Sequence, residues 1–325
     1  MQTSQFPRLI GDIGGTNARW ACQTAPGAPL EHIAAYGCAD FPTIESAIEH
    51  YVATLGGLRF AATAIGVATA VTGDRISFTN NAWSFSQRAL QSRFDLSRLL
   101  VINDFAALAL SVPRLGRDGL VPLGPTRARE AAEPVERAPI VIVGPGTGLG
   151  VAALAWRPDG QPLVISGEGG HSTVAATDDH QAAVLAVLRR RFEHVSAERV
   201  LSGPGLVNLH HALCELDGRK PAHGRPADVV QAARAGERDG AEALRMFVAL
   251  LGSFAGNMAL TYGALGGVYI GGGIAPRLGA LLDVELFRAH FEAKGRLNPY
   301  LQSIPSWLVT EAFPGLIGAA HALDL

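Results

Sequence analysis

Apolar, largely β-branched runs along this chain break off repeatedly into clusters of glycine. Leu9-Ile10 leads into Gly11-Asp12-Ile13-Gly14-Gly15-Thr16-Asn17, and Ile140-Val141-Ile142-Val143 into Gly144-Pro145-Gly146-Thr147-Gly148-Leu149-Gly150. Gly267-Val268-Tyr269-Ile270 leads into Gly271-Gly272-Gly273. Each pattern predicts a buried strand that ends in a tight backbone turn. Beyond the first two clusters the chain becomes apolar again, as Ala18-Arg19-Trp20-Ala21-Cys22 and as Val151-Ala152-Ala153-Leu154-Ala155-Trp156. Both therefore predict β-hairpins. One unit of strand, glycine turn and strand recurs about 130 residues further on, which predicts two related α/β halves.

Helical spacing lies between these sites. Thr43 to Leu55 carries Ile44, Ala47, Ile48, Tyr51 and Val52 on one face, and Asp178 to Phe192 and Gly240 to Gly263 are likewise helical. Leu99-Leu100-Val101-Ile102 predicts another buried strand, with Asn103-Asp104 at its carboxyl end and a helix over Ala106 to Leu110. Gly266 to Gly273 followed by Ile274-Ala275-Pro276 predicts strand, glycine turn and helix start. The stretch Arg114 to Pro139 is rich in Pro, Gly, Arg and Glu; it predicts a loop or short strand and is the candidate connection between domains. Arg219 to Pro226 is a second polar loop. Strands alternating with helices point to α/β architecture with a mainly parallel or mixed sheet.

Composition narrows the picture. A chain of 325 residues suits one large or two medium domains. With 48% apolar and 17% charged residues it has ample material for a core, which excludes a disordered chain. Lys plus Arg number 27 against 29 Asp plus Glu, a net charge of −2 that gives no basic excess for nucleic acid. A small phosphorylated ligand stays open, because backbone N–H groups hold phosphate without net charge. Cys22, Cys38 and Cys214 fit neither a disulfide framework nor a C-x-x-C site, so a cytoplasmic setting is expected. Met1 to Arg8 has no apolar signal core, and the longest apolar runs break before about 18 residues, so no membrane span is expected.

Candidate chemistry starts at the hairpins. Glycine lets the backbone approach an anion closely, and successive N–H groups then form a phosphate-binding concavity, to which Thr16 and Thr147 add hydroxyls. No G-x-x-x-x-G-K-[ST] is present, and glycine at every second position of Gly144 to Gly150 does not match G-x-G-x-x-G. A P-loop is therefore excluded and a dinucleotide site disfavoured. Asp12 beside bound phosphates needs a divalent cation between them, so it is a candidate Mg²⁺ holder; the alternative is an acid that satisfies turn N–H groups.

Asp104, at the carboxyl end of a strand where ligands bind in open α/β sheets, is read either as a helix N-cap or as a general base that takes the proton of an attacking hydroxyl. Ser166-Gly167-Glu168-Gly169-Gly170-His171 sets an acid and an imidazole among glycines, a set suited to fixed sugar hydroxyls. No second His or Cys stands at ligand spacing near His171, so zinc is disfavoured. On position alone Glu198 is an exposed acid and Asn81 a turn residue.

Taken together, the motifs resemble the bacterial glucokinases of the hexokinase and actin-like ATPase superfamily. Gly11-Asp12-Ile13-Gly14-Gly15-Thr16-Asn17-Ala18-Arg19 is similar to the family's first phosphate motif, Gly144 to Gly150 to the second, and Gly267 to Gly273, with Gly272, to the adenosine motif. Asn103-Asp104-Phe105 resembles the catalytic segment, which implies Asp104 as base and Asn103 as a sugar contact. Glu168-Gly169-Gly170-His171 and Glu198-Arg199-Val200-Leu201-Ser202-Gly203-Pro204-Gly205 resemble sugar-binding segments, which implies Glu168, His171 and Glu198 as hydroxyl partners; Asn81, in the Asn-Asn pair, is a turn residue first and a candidate sugar contact second. Gly146, Thr147 and Gly148 are implied as nucleotide contacts beside the first hairpin.

The resemblance implies a two-domain actin-like ATPase (ribonuclease H-like) fold of α/β class with a central cleft. Residues 1–113 with about 308–325 form the small domain and 114–307 the large one, and a C-terminal helix, about Gly315 to Leu325, returns to the small domain. It also implies D-glucose and ATP as substrates, Mg²⁺ as cofactor and a homodimer, with neither nucleic acid nor membrane as partner. Related ROK kinases often carry clustered cysteines after the sugar-segment His; Ser172-Thr173-Val174-Ala175-Ala176 has none, which favours the branch without zinc. A kinase for another hexose is the nearest alternative. A sugar-binding regulator would need a helix-turn-helix ahead of the first hairpin, for which the eight residues before Leu9 leave no room. An actin-like filament ATPase would share the hairpins but need no sugar segment.

Overall fold

The computed structural model describes residues 5–78, 81–124 and 137–325. Thr79, Asn80 and residues 125–136 of the polar stretch between Arg114 and Pro139 thus lie outside the described residues. The chain divides into two compact units, Met1–Gly116 with Glu311–Leu325, and Arg117–Thr310.

The first unit is built on a five-stranded sheet. Its strands are β1 (Arg8–Ile13), β2 (Asn17–Gln23), β3 (Glu31–Gly37), β4 (Ala62–Val67) and β7 (Arg98–Asn103), in the order β3-β2-β1-β4-β7. β1, β2 and β3 run antiparallel in sequence, while β4 and β7 run parallel to β1. A separate small hairpin joins β5 (Arg75–Ser77) to β6 (Ser84–Ser86).

Alternation along the strands sorts side chains to two faces. Leu9 and Ile13, Ala18, Trp20 and Cys22, and Ile65 and Val67 share one buried cluster with Ile44, Ile48 and Tyr51 of the helix Ile44–Thr54. Ile10, Ala21, Ala62 and Ala64 point the other way, into a cluster with Ala107 and with Leu316, Ala319, Ala320 and Leu323. That second face is lined by small residues, so the helices Asp104–Ser111 and Pro314–Ala322 lie close to the sheet and to each other. The C-terminal helix is thereby part of this unit.

The second unit repeats the plan. β8 (Leu120–Pro122), β9 (Ile140–Pro145), β10 (Leu149–Trp156), β11 (Pro162–Gly167), β12 (Val268–Ile270) and β13 (Ser306–Val309) form one sheet in the order β11-β10-β9-β12-β13-β8. β9, β10 and β11 are antiparallel in sequence, and β12 and β13 run parallel to β9, as β4 and β7 do to β1. β8 is an added antiparallel edge strand within the polar stretch. Two sheets of one connectivity, each opening on a glycine hairpin, are the related halves that the sequence suggests.

Helix ends differ from the sequence expectation by a few residues. The helix Asp179–Arg189 stops three residues short of Phe192, capped at its start by Asp178, whose side chain accepts the Gln181 N–H. The helix Arg238–Tyr262 begins two residues before Gly240 and ends at Gly263 in the left-handed conformation (φ 58°), which glycine adopts without a Cβ penalty. This helix is long and apolar enough by length and composition to cross a membrane, which the sequence reading did not anticipate. Its apolar window is 78% buried within the fold, as befits the central helix of the second core.

Three histidines held below their ordinary value make stability depend on pH: His210, His321 and, mainly through burial, His290. Burial and the neighbouring His211 and His223 rings hold His210 below the ordinary value of 6.5, and burial with Arg114 does the same for His321. Below about pH 6.5 the unfolded chain takes up protons that the folded chain refuses, so acid favours unfolding, by at most about 1.4 kcal/mol per pH unit for each group. Thermal unfolding is expected at a lower temperature at about pH 5.5 than at about pH 7.5; an equal or higher midpoint in acid contradicts this assignment.

Candidate active site

In the first unit β1, β4 and β7 end side by side, with Ile13 opposite Val67 and Val67 opposite Asn103. The carboxyl edge of the sheet therefore gathers the first glycine turn and the Asn103-Asp104 pair. The turn is closed by the Gly14 N–H donating to the Asn17 carbonyl at 2.9 Å, and the Cys38 N–H holds the Thr16 carbonyl at 2.8 Å. Thr16 and Asn17 face solvent at its tip. Asn81 belongs to this turn: its amide donates to the Gly14 carbonyl at 3.2 Å and its oxygen accepts the Trp83 N–H at 2.8 Å. Gly11 is required beneath it, since a Cβ there would stand 2.6 Å from the Trp20 ring.

Asp12 lies opposite Arg19 in the hairpin register, and the two side chains form an ion pair at 3.2 Å. Burial pushes the Asp12 carboxyl above its ordinary range, and Arg19 pulls it partly back. On another side stands the first turn of the C-terminal helix: a Cβ on Gly315 would be 2.8 Å from the Asp12 carboxyl carbon. Neither Arg19 nor Gly315 stands out as a functional residue in the sequence. Arg19 was legible, because Asp12 and Arg19 are equidistant from the middle of the glycine turn.

The cap of the helix Asp104–Ser111 falls to Asn103. Its side-chain oxygen accepts the Phe105 N–H at 3.0 Å and the Ala106 N–H at 3.3 Å, and its amide donates to the Thr69 carbonyl at 3.4 Å. Asp104 is the first helical residue, and its Oδ1 accepts the Phe105 N–H at 2.9 Å. Of the two readings of Asp104, the N-cap is thus displaced by one residue. Gly66 of β4 packs beside this start, where a Cβ would meet the Asp104 Cα and the Gly11 carbonyl at an ordinary contact distance of 3.8 Å.

In the second unit the turn between β9 and β10 places Thr147 at an exposed tip, and the Gly146 N–H donates to the Gly148 carbonyl at 2.8 Å. The segment Gly267 to Gly273 grips this turn. The Gly271 N–H donates to the Val143 carbonyl at 2.9 Å and the Ile274 N–H to the Pro145 carbonyl at 3.1 Å. Gly272, at φ 77°, approaches so closely that a Cβ would stand 2.5 Å from the Pro145 oxygen.

Glu168 and His171 are both exposed, their side chains 4.0 Å apart. Gly170 between them lies against the Leu149 carbonyl, which a Cβ would overlap. Glu198 comes to the same place from a distant part of the sequence. Its backbone N–H donates to the Gly170 carbonyl at 2.9 Å, and its Oε2 accepts the Leu149 N–H at 2.9 Å. On position alone a surface acid, Glu198 is half-buried against the glycine turn and the segment that carries Glu168 and His171.

Among the described residues no set of three or more His, Cys, Asp or Glu side chains converges to hold a metal. A single carboxylate such as Asp12 still fits Mg²⁺, which commonly binds through one or two carboxylates plus substrate phosphates and keeps several waters.

A model of the family described as Glucokinase matches residues 9–325. Glucokinase of Chromobacterium violaceum is 47% identical over 321 residues, covering 98% of this chain and 90% of that protein. Glucokinase of Aromatoleum aromaticum is 46% identical over 323 residues, covering 98% and 95%. The crystal structure of a glucokinase from an Antarctic psychrotroph superposes with a TM-score of 0.88 at 37% identity, covering 99% of each chain. Since these matches run along nearly the whole length of both partners, the chain belongs to the glucokinase family, whose members phosphorylate glucose with ATP.

Proposed function

We propose that Asp104 is the general base with which this chain transfers the terminal phosphoryl group of ATP to O6 of D-glucose. The observation that carries the reading is the place of Asp104, which stands at the carboxyl edge of the sheet as the first residue of the helix that Asn103 caps. A sugar hydroxyl is a poor nucleophile, and an aspartate within hydrogen-bond reach orients it and accepts its proton as the O–P bond forms.

The remaining roles follow the groups each unit presents. Gly11, Asp12, Ile13, Gly14, Gly15, Thr16 and Asn17, and likewise Gly146, Thr147 and Gly148, are phosphate-holding groups through backbone N–H and hydroxyl donors. Gly272 packs beneath the adenosine. Asn81, Asn103, Glu168, His171 and Glu198 contact sugar hydroxyls. Asp12 would hold Mg²⁺, which when bound offsets charge on the transferred phosphoryl group. Residues 1–113 with about 308–325, and 114–307, are the working domains of a cytoplasmic homodimer in this reading.

A coupled assay over a panel of hexoses and phosphoryl donors tests the assignment. Turnover is expected to be highest with ATP and D-glucose, with ADP and glucose 6-phosphate formed in equal amounts. Sugar-independent ATP hydrolysis with sedimentable polymer points instead to a filament ATPase, and retardation of DNA without turnover to a regulator.

A further inference from the structure

Glu198 takes part in more than one recognition element. Its N–H is bonded to Gly170 of the sugar segment, and its carboxylate to the Leu149 N–H, where the second glycine turn enters β10. Gly148 is held against the same carboxylate, which a Cβ on that residue would overlap. The contact closes a ring, because Gly170 itself rests on the Leu149 carbonyl. A few residues further on, the Gly203 N–H, at the start of the helix Gly203–Leu216, donates to the Gly146 carbonyl at 2.8 Å. The Ser202 hydroxyl ties this segment back to the Glu198 carbonyl at 2.8 Å. Sugar segment and phosphate turn are thus joined through one residue, by its backbone on one side and its carboxylate on the other, and all the joined groups lie in one unit.

We propose that Glu198 is a positioning residue for the ATP-binding turn as well as a sugar contact, so that it couples glucose affinity to ATP affinity. One carboxylate oxygen holds the Leu149 N–H and so fixes the turn that presents Thr147 and Gly148. A sugar hydroxyl donating to the same carboxylate restrains its rotation and so stiffens the turn. Coupling of this kind is reciprocal: whatever factor glucose gives to ATP binding, ATP gives to glucose binding. The inference rests on the reading that Gly144 to Gly150 holds the nucleotide phosphates.

Titration calorimetry with Mg·AMPPNP, in the absence and presence of glucose, tests it. Glu198→Ala is expected to weaken nucleotide binding about ten-fold with no sugar present, the effect of one charge-assisted hydrogen bond to the turn. It also abolishes the enhancement by glucose. Glu198→Gln keeps an oxygen that accepts from Leu149, so sugar-free nucleotide affinity stays within about two-fold of the parent while glucose binding weakens. A sugar contact alone would leave sugar-free nucleotide affinity untouched in both variants, and that result overturns the coupling. Thr147→Val reports on the turn itself. Weaker nucleotide binding there beside an unchanged Glu198→Ala overturns the coupling only; unchanged binding in both overturns the phosphate reading of the turn and the coupling with it. If Glu198→Ala does not fold, a loss of sugar-free affinity in Glu198→Gln as large as in Thr147→Val overturns the proposal.

Discussion

Asp104→Ala is expected to lower kcat roughly 10²- to 10⁴-fold, the usual contribution of a positioned base, while glucose still binds with close to its original affinity. Asn103 supplies the side-chain oxygen that satisfies the Phe105 and Ala106 N–H groups, so removing the Asp104 carboxylate leaves the helix capped. Asn103→Ala provides the contrast: it uncaps the helix, costs about 0.5–2 kcal/mol of stability, and weakens sugar binding along with turnover. Steady-state kinetics paired with calorimetric glucose titration separates the two. Turnover near that of the parent in Asp104→Ala removes Asp104 from the chemistry.

Gly318→Ala is expected to be the most damaging small substitution in the first unit. Gly318 lies where the C-terminal helix crosses the helix that begins with Asp104, and a Cβ there would overlap the Ala107 carbonyl oxygen. The obstacle is backbone on both sides, with the Ser111 nitrogen at 3.0 Å, so no rotamer change relieves it. The helices must separate, opening the packing of Ala107, Leu316 and Ala319 against Ile10 and Ala64. A cost of about 3 kcal/mol is expected, at the upper end for overpacking, and with it a fall in melting temperature of roughly 6–12 °C. Because the displaced helix carries Asp104, kcat falls too. Calorimetric unfolding of Gly318→Ala at the parental temperature contradicts this description of the contact.

Some of this architecture is written locally in the sequence. The hairpins are legible because apolar β-branched runs reach glycine clusters and then resume, a pattern with few other solutions. The helix Ile44–Thr54 is legible because Ile44, Ala47, Ile48 and Tyr51 are all buried at the expected spacing. Local patterns fail where two adjacent residues compete for one role. Asn103 and Asp104 both suit an N-cap, and backbone torsions decide: Asn103 has φ −63° and ψ 146°, extended, while Asp104 is already helical.

They fail again where the relevant neighbour is distant. Glu198 meets the glycine turn 49 residues before it, and Gly315 meets Asp12 across almost the whole chain. Nothing in the composition of either segment encodes such a meeting. Glycines such as Gly170 and Gly318 are of the same kind: they satisfy close approach in space, so their purpose is invisible until the opposing carbonyl is known. The helix Arg238–Tyr262 shows the converse, since a buried core helix and a membrane span share one composition and only its packed surroundings separate them.

Phosphoryl transfer by the proposed route requires Asp104 to face the hydroxyl that becomes phosphorylated. A crystal structure of the protein with glucose and Mg·AMPPNP tests this directly. An Asp104 carboxylate oxygen is expected at about 2.6–3.2 Å from glucose O6. A different carboxylate at O6, or Asp104 turned away from the bound sugar, contradicts it.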